Sequence, residues 1–447
     1  MTAPTLPTAA EVILGPEELF FSTTDRRGVI RQGNTVFARV SGYTNDKLLG
    51  SPHNIVRHPA MPAGVFRLLW DRLDEGDTVA TYVCNQTEDG RPYWVCAVVS
   101  PAQDGFLSVR MSPLTPGLEI AREVYGHALA VEQEAAAAGA TRREVAVAGR
   151  RAIEEALSAR GFASYAQFQQ AFLPAEMGSR SSVAVTLHQR PGAGGGIGTV
   201  LTSTRDVATA LHGLVHGLST YQRLGSELSA TADRVLRTVH QLERSVEAAR
   251  EASDLVAAEV PVLANVANVM ATPMGSAVGQ LHLLPQAFTH LQASIQSLRL
   301  QIGLAALYND AVADFAAEVW DGEAPAESLS AVPLLVEVAD LCVLQMADQV
   351  QQVNADLVRV ATLVRDSNAH LEDFRRMIGR WRQLVMRHCA TTLSHRVAPV
   401  DEAITATWSA AEGLGRLGDQ MASAILPFDA SGVRAHLARM REGAALG

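Results

Sequence analysis

Ser51-Pro-His-Asn-Ile-Val-Arg-His-Pro-Ala-Met-Pro-Ala63 places two histidines and an arginine among prolines, just ahead of an amphipathic segment. So many cationic and hydrogen-bonding side chains inside a small domain read as the wall of a pocket for a polar or anionic cofactor. Working outward, Phe20–Thr24 is a strand-like run closed by the turn Asp25-Arg26-Arg27-Gly28, and Val29–Gln32 is a second run. Asp89-Gly90 is a hairpin signal, because both positions tolerate positive φ. It joins Thr81–Gln86 to Tyr93–Ser100, and Phe106–Met111 follows Asp104-Gly105. Between the strand groups, 34–40, 46–49 and 61–76 read as helices. Pro62 suits the first turn of the last one, and Phe66, Leu69, Trp70 and Leu73 form its apolar face. The order is two strands, several short helices, three strands.

The bulk composition limits the function. A chain of 447 residues with 48% apolar content holds ample core, and 5% aromatics with abundant alanine favours long helices. A net charge of −10 without a basic run argues against nucleic-acid binding. Cys84, Cys96, Cys342 and Cys389 lie far apart, which fits a reducing compartment and excludes zinc-ribbon and c-type haem spacing. Met1–Pro7 does not read as a signal peptide, and no run of apolar residues is long enough for a membrane span. The expectation is a cytoplasmic protein.

Beyond residue 117 the pattern is helical. Leu118–Ala138 and Arg142–Arg160 are Ala/Glu-rich, Gly161–Met177 reads as a shorter connector, and Pro191–Gly198 as a glycine-rich linker. No Lys-Ser/Thr follows those glycines, so a phosphate loop is disfavoured. Three heptad seams come next. The first runs from Val207 through Leu211, Leu214, Leu218, Tyr221, Leu228, Ala232, Val235, Val239, Leu242, Val246, Ala249 and Ser253 to Val260. The second runs from Leu284 to Ala316 and the third from Val343 to Val385. Sustained heptads of this length mean coiled-coil or long-bundle packing. Pro261, Pro273 and Pro285 read as breaks between the first two blocks, and Asp321–Pro325 as the break before the third. Shorter helices are expected near 398–424 and 431–443.

The N-terminal residues resemble the PAS domain of bacterial aerotaxis receptors. The shared string is Ser22-Thr-Thr-Asp25, Asn34, Phe37, Val40-Ser-Gly-Tyr43, Gly50, Pro52-His-Asn54, Val56-Arg-His-Pro59, Met61-Pro62, Phe66, Trp70, Gly76, Asn85, Gly90 and Tyr93-Trp-Val95. The resemblance implies an α+β domain, a five-stranded antiparallel sheet with helices over one face, that holds FAD non-covalently. It also implies that the flavin's redox state, which follows oxygen or electron transport, becomes a conformational signal. Arg57 and His58 would pair with anionic parts of the flavin. Asn85 would hydrogen-bond the carbonyl and imide edge of its ring, and Trp70 and Tyr93 would line the slot. Asn34 and His53 complete the candidate set, and haem held through His53 or His58 is the alternative ligand. Two positions depart from the family: Ala60 stands where an aspartate is common, and Val79 where a tryptophan often stands.

Leu298-Arg-Leu-Gln301, Leu304-Ala-Ala-Leu307 and Asn309 resemble the signalling tip of methyl-accepting chemotaxis receptors. The continuation Asp310-Ala-Val-Ala-Asp-Phe-Ala316 lacks the family's arginine and glycine. The expected division is therefore a cap (1–17), a PAS sensor (18–115), a helical connector with the glycine-rich linker (116–200) and an all-α receptor-like coiled-coil bundle (201–447). His212 and His216, four apart on a helix, read as a solvated face, and Trp94 as a packing residue opposite Tyr93. No paired catalytic carboxylates, Ser-His-Asp set or ATP-binding signature occurs, so catalysis is not expected. The function expected is redox or oxygen sensing by a homodimer, with the chemotaxis kinase and its adaptor as partners. The other reading is a ligand-free PAS dimeriser carrying a coiled-coil scaffold.

Overall fold

The computed structural model describes residues 11–102, 104–184, 188–388, 405, 408–409 and 411–446. Most of the expected N-terminal cap, and the start of the helix expected near 398, lie outside them.

Strand β1 (Leu19–Asp25) ends in a turn that Asp25 ties together, its Oδ1 accepting from Arg27 N at 2.8 Å and Val29 N at 2.9 Å. Gly28 closes that turn at φ 78°, and β2 (Ile30–Gly33) returns alongside β1. Helices α1 (Thr35–Ser41) and α2 (Asn45–Leu48), a 3-10 turn (His53–Val56) and α3 (Ala63–Asp74) follow. Strands β3 (Val79–Gln86), β4 (Pro92–Ala102) and β5 (Gly105–Met111) complete an antiparallel sheet in the order β2-β1-β5-β4-β3. The β5–β1 pairing brings Gly105 so close to Thr24 that a Cβ there would sit 1.8 Å from the Thr24 carbonyl oxygen.

Side chains alternate across the sheet. One face, with Val83, Asn85, Ala97, Val99, Ser108 and Arg110, looks toward α3 and the 3-10 turn. The other carries Tyr82, Trp94 and Cys96, all buried, and it too is covered. Helices α4 (Gly117–Ala137), α5 (Arg142–Ser158) and α6 (Tyr165–Ala184) follow β5. Trp94 stacks on Tyr125 of α4 at 6.5 Å, in the packing role expected of it. The expected short connector is the 20-residue α6. Its Phe168 and Phe172 pack on Tyr82, and its fully buried Glu176 accepts from Tyr82 Oη at 2.7 Å and Leu114 N at 2.7 Å.

The rest is helical: α7 (Gly195–Leu255), α8 (Pro261–Trp320), α9 (Val332–His388), a stretch over 411–423 and α10 (Ala430–Leu446). The chain falls into two compact units. The first comprises Met1–Gly213, Gln296–Ala347 and Asp429–Gly447, and so joins the sheet to the end of α8. There Ser100 bonds the Tyr308 hydroxyl, and Phe21 meets Phe315 edge-on at 4.6 Å. The second unit comprises Leu214–Ile295 and Asp348–Phe428. In it the seam residues Leu218, Val235, Leu284, Phe288, Val353, Leu371 and Ile378 are buried, and Trp381 Nε1 donates to Ser253 Oγ at 2.9 Å. The seam positions Leu228, Ala232, Val239, Leu242 and Ala249 lie outside the described side chains.

One expectation fails in α8. Pro261 opens the helix, but Pro273 and Pro285 lie inside it and do not break it. The buried row Leu263, Ala267, Met270, Met274, Ala277, Leu281 and Leu284 is continuous through both. Ser328–His388 holds a window of mean hydropathy 1.7, apolar enough for a membrane span by composition, with 56% of it buried as in a core helix.

Candidate functional site

A cavity of about 590 Å³ opens between the sheet, the 3-10 turn and α3. That volume falls within the range of small-molecule sites. Its apolar walls are Phe66, Leu69, Val83, Val99 and Phe106, and Trp70, 38% exposed, stands at its edge 5.2 Å from the Phe106 ring. Its charged and polar groups come from four places, Asp74 of α3 being the carboxylate among them. Arg26 and Arg27 lie on the β1–β2 turn, His53, Asn54 and Arg57 on the 51–63 segment, and Asn85, Ser108 and Arg110 on the sheet.

Four of the seven candidates line this cavity: His53, Arg57, Trp70 and Asn85. Arg57 is drawn to the sheet by a β-bridge with Asn85, its Nη2 donates to Met61 O at 2.8 Å, and its guanidinium lies 4.2 Å from the Phe66 ring centre. Burial lowers its pKa, with Glu132 pulling the other way. Asn85 is 3% exposed, and its Nδ2 has no hydrogen-bond partner. His53 stacks on Phe37 at 5.9 Å and accepts a hydrogen bond at Nε2 from Arg110 Nη2. Burial, then the neighbouring Arg110 charge, hold the imidazole neutral well below its usual pKa.

The other three candidates are not among the lining residues. Asn34 is consumed by the backbone: its Oδ1 accepts from Phe21 N and Phe37 N, both at 3.2 Å, and its Nδ2 donates to Leu19 O at 3.4 Å. It is the N-cap of α1, a role asparagine fills because its side chain satisfies a free helix N–H. His58 turns back on its own loop, where Nδ1 accepts from Ala60 N at 3.2 Å. Tyr93 shares the cavity-side parity of Ala97 and Val99 but sits fully buried, paired in register with Asn85. Burial pushes its pKa up and the Arg110 charge pulls it down, and its hydroxyl, like the Asn85 Nδ2, has no hydrogen-bond partner.

Sequence reasoning missed Arg110. It is 3% exposed, and its Nη1 donates to Ser22 Oγ at 3.1 Å. The available signal was a charge inside an apolar strand, at the same parity as Ser108. Sequence reasoning also missed Glu132 of α4, which accepts from Ala63 N at 2.8 Å and Gly64 N at 2.7 Å and so caps α3 from another helix. Burial raises the Glu132 pKa, against those two hydrogen bonds and Arg57.

Residues 32–107 match the PAS fold. This segment is a PAS domain. It is similar to the aerotaxis receptor of Escherichia coli strain K12, 40% identical over 100 residues, 22% of this chain and 20% of the receptor. It is also similar to a biofilm dispersion protein of Pseudomonas aeruginosa, 33% identical over 82 residues, 18% of this chain and 20% of that protein. The chain thus spans about a fifth of the length of these curated relatives. Among solved structures, a Rhodobacter sphaeroides LOV protein shares 21% identity over 32% of this chain and 88% of its own, with a TM-score of 0.21. Both curated relatives are similar to this chain over its PAS region.

Proposed function

We propose that the PAS cavity holds a flavin, FAD being the expected form, and that the protein reports redox state or oxygen through its long helices. The observation that carries this reading is the buried Asn85 Nδ2, a donor without an acceptor beside an apolar slot with a cationic wall. A buried amide donor left unpaired is costly, and a flavin ring offers carbonyls along one edge. Asn85 would take that edge, Trp70 and Phe66 the ring faces, and Arg57 and the Arg26–Arg27 turn the phosphates. Bound flavin supplies reversible electron uptake, and the chain's own residues orient it and set the charge around it. Ala60 and Val79 remove a carboxylate and an aromatic from the family pattern, and Arg57 is already seated on Phe66 and Met61. That seating favours the second reading, a ligand-free PAS dimeriser. Haem is less well supported, because His53 Nε2 and His58 Nδ1 are both engaged.

Signalling would run through a cytoplasmic homodimer to the chemotaxis kinase and adaptor. The test is visible absorption of the purified full-length protein, before and after incubation with FAD. Bound flavin bands support the reading. A protein that stays colourless refutes it, and a Soret band selects haem.

A further inference from the structure

Arg110 is a buried cavity cation to which the flavin reading gives no task. It is fully enclosed, 3% exposed, at the base of the cavity. Its polar partners are neutral: Ser22 Oγ at 3.1 Å, the Ser108 carbonyl at 3.5 Å and the lone pair of His53 Nε2. The faces of Phe20 and Phe37 lie 5.7 Å and 5.4 Å from its guanidinium carbon. Among the described residues it makes no ion pair, in a chain that pairs most of its other PAS-domain arginines with carboxylates, such as Arg39 with Glu18 and Arg67 with Asp71.

A buried cation without a counter-ion is strongly unfavourable unless something else supplies the charge. Here the surroundings also oppose the cation, since burial brings the Arg110 pKa down to about 10. Ser108 Oγ, beside it on the same strand, is a further buried group without a partner. A guanidinium, an unpartnered hydroxyl and the Asn85 amide thus converge from β3 and β5 on one cavity.

We propose that Arg110 is the counter-ion for negative charge carried by the cavity's ligand, and that His53 is the neutral acceptor that holds the guanidinium until that charge arrives. The proposal rests on the flavin reading and specifies what the site does with it: the cavity favours the ligand in its more negative state. Two electrons from an added reductant and one proton from solvent leave a flavin ring with one net negative charge, which a guanidinium can accept in a charge-assisted contact. No bond to the protein forms or breaks.

The test is a dithionite titration of the FAD-loaded full-length protein, followed by flavin absorbance beside free FAD in the same buffer. In the unmodified protein the reduced flavin is held more tightly, so the bound midpoint potential lies above the free one. Arg110→Gln cuts the reduced-to-oxidised affinity ratio at least tenfold, about 30 mV for a two-electron couple, and Arg110→Lys retains most of it. A bound midpoint at or below that of free FAD overturns the proposal without any variant, and so does an Arg110→Gln protein that keeps the unmodified potential. Both results leave the flavin reading intact. A protein that binds no FAD overturns the flavin reading and this proposal with it.

Discussion

Replacing Gly64 by alanine sets two effects of opposite sign against each other. In a helix alanine is favoured over glycine by up to about 1 kcal/mol, an upper bound for Gly64 in the first turn of α3. Against this, a Cβ at Gly64 would lie 2.3 Å from Arg150 N and 2.4 Å from the Gly149 carbonyl carbon, both backbone atoms of α5. No rotamer relieves a clash with backbone, so α3 and α5 must part by roughly an ångström, at the ~1–3 kcal/mol typical of overpacking. Parting them also strains the Glu132 carboxylate, which bonds Ala63 N and Gly64 N at 2.8 and 2.7 Å. Hydrogen bonds to charged groups contribute ~1.5–3 kcal/mol each. With one such bond lost, the net is a destabilisation of about 1.5–5 kcal/mol. The control is Gly178→Ala in α6, where nothing lies within 4 Å of the added methyl and only propensity acts. It should stabilise by up to ~1 kcal/mol. Urea unfolding of the full-length proteins, followed by near-UV circular dichroism, measures both. If Gly64→Ala is as benign as Gly178→Ala, the close crossing of α3 and α5 is wrong.

Three further outcomes are expected. Glu176→Gln leaves a single acceptor oxygen for four donors, namely Tyr82 Oη, Thr115 Oγ1, Leu114 N and Thr115 N. It should lower stability by ~1–3 kcal/mol, and an unchanged urea midpoint would count against this anchor. Burial pushes Glu318 up to about 7, with Asp314 and Glu323 adding to the shift and Thr35 and Arg39 opposing it. A carboxyl whose folded pKa is raised favours folding most when protonated. That contribution is fully present below its unfolded value of about 4.5 and is lost as pH rises through about 7. Glu318→Gln should thus gain ~1–3 kcal/mol over the unmodified protein between about pH 5 and pH 8, after discounting for partial exposure; parallel pH–stability curves refute this. Arg57→Ala removes the Phe66 stack and the Met61 bond at a cost of ~1–2 kcal/mol. If Arg57 also holds the flavin, FAD affinity falls at least tenfold, and an unchanged affinity removes Arg57 from the site.

The sheet was readable because turn chemistry and alternation pointed the same way. Asp25-Arg26-Arg27-Gly28 and Asp89-Gly90 mark the reversals at which Gly28 and Gly90 take φ of 78° and 86°. Helix α6 was not readable as such. Its aromatics and its buried Glu176 and Arg180 face other elements, so the pattern looked irregular in isolation. The prolines of α8 misled for an energetic reason. Each costs a helix interior ~3 kcal/mol, but Met270, Met274, Leu281 and Leu284, 0–3% exposed, each recover ~1.5–3 kcal/mol by burial along the same row. Asn34 and His58 lie in the shared string, where short-range geometry decided their roles: a helix cap and a loop turn. Arg110 lies 57 residues from His53, and only the register of β5 on β1, with Arg110 opposite Phe20, brings it to the cavity.

The contacts of α3 determine how a change in the cavity can leave it. One side of α3 supplies Phe66, Leu69, Trp70 and Asp74 to the cavity. Its N-terminal turn is fixed at two points, the Gly64–Gly149 crossing and the Glu132 cap. About two turns beyond Gly64, Asp71 meets Arg150 of α5 at 2.6 Å. Beyond that, Gly76 ends the helix at φ 90° with nothing within 4 Å of its added Cβ. The C-terminal half of α3 is seated by side chains instead, with Leu69 and Leu73 buried and Asp71 paired with Arg150. A displacement of Trp70 or Asp74 by a cavity ligand would meet α5 at the Asp71–Arg150 pair. On the outer face of the sheet, Glu176, Gln169 and Tyr165 of α6 bind Tyr82, Ala80 and Thr78 through buried hydrogen bonds. Between the cavity and the α4–α5 hairpin stands α3, which meets the hairpin at Glu132, Gly149 and Arg150. The hydrogen-bonded frame of this domain is the sheet with α6.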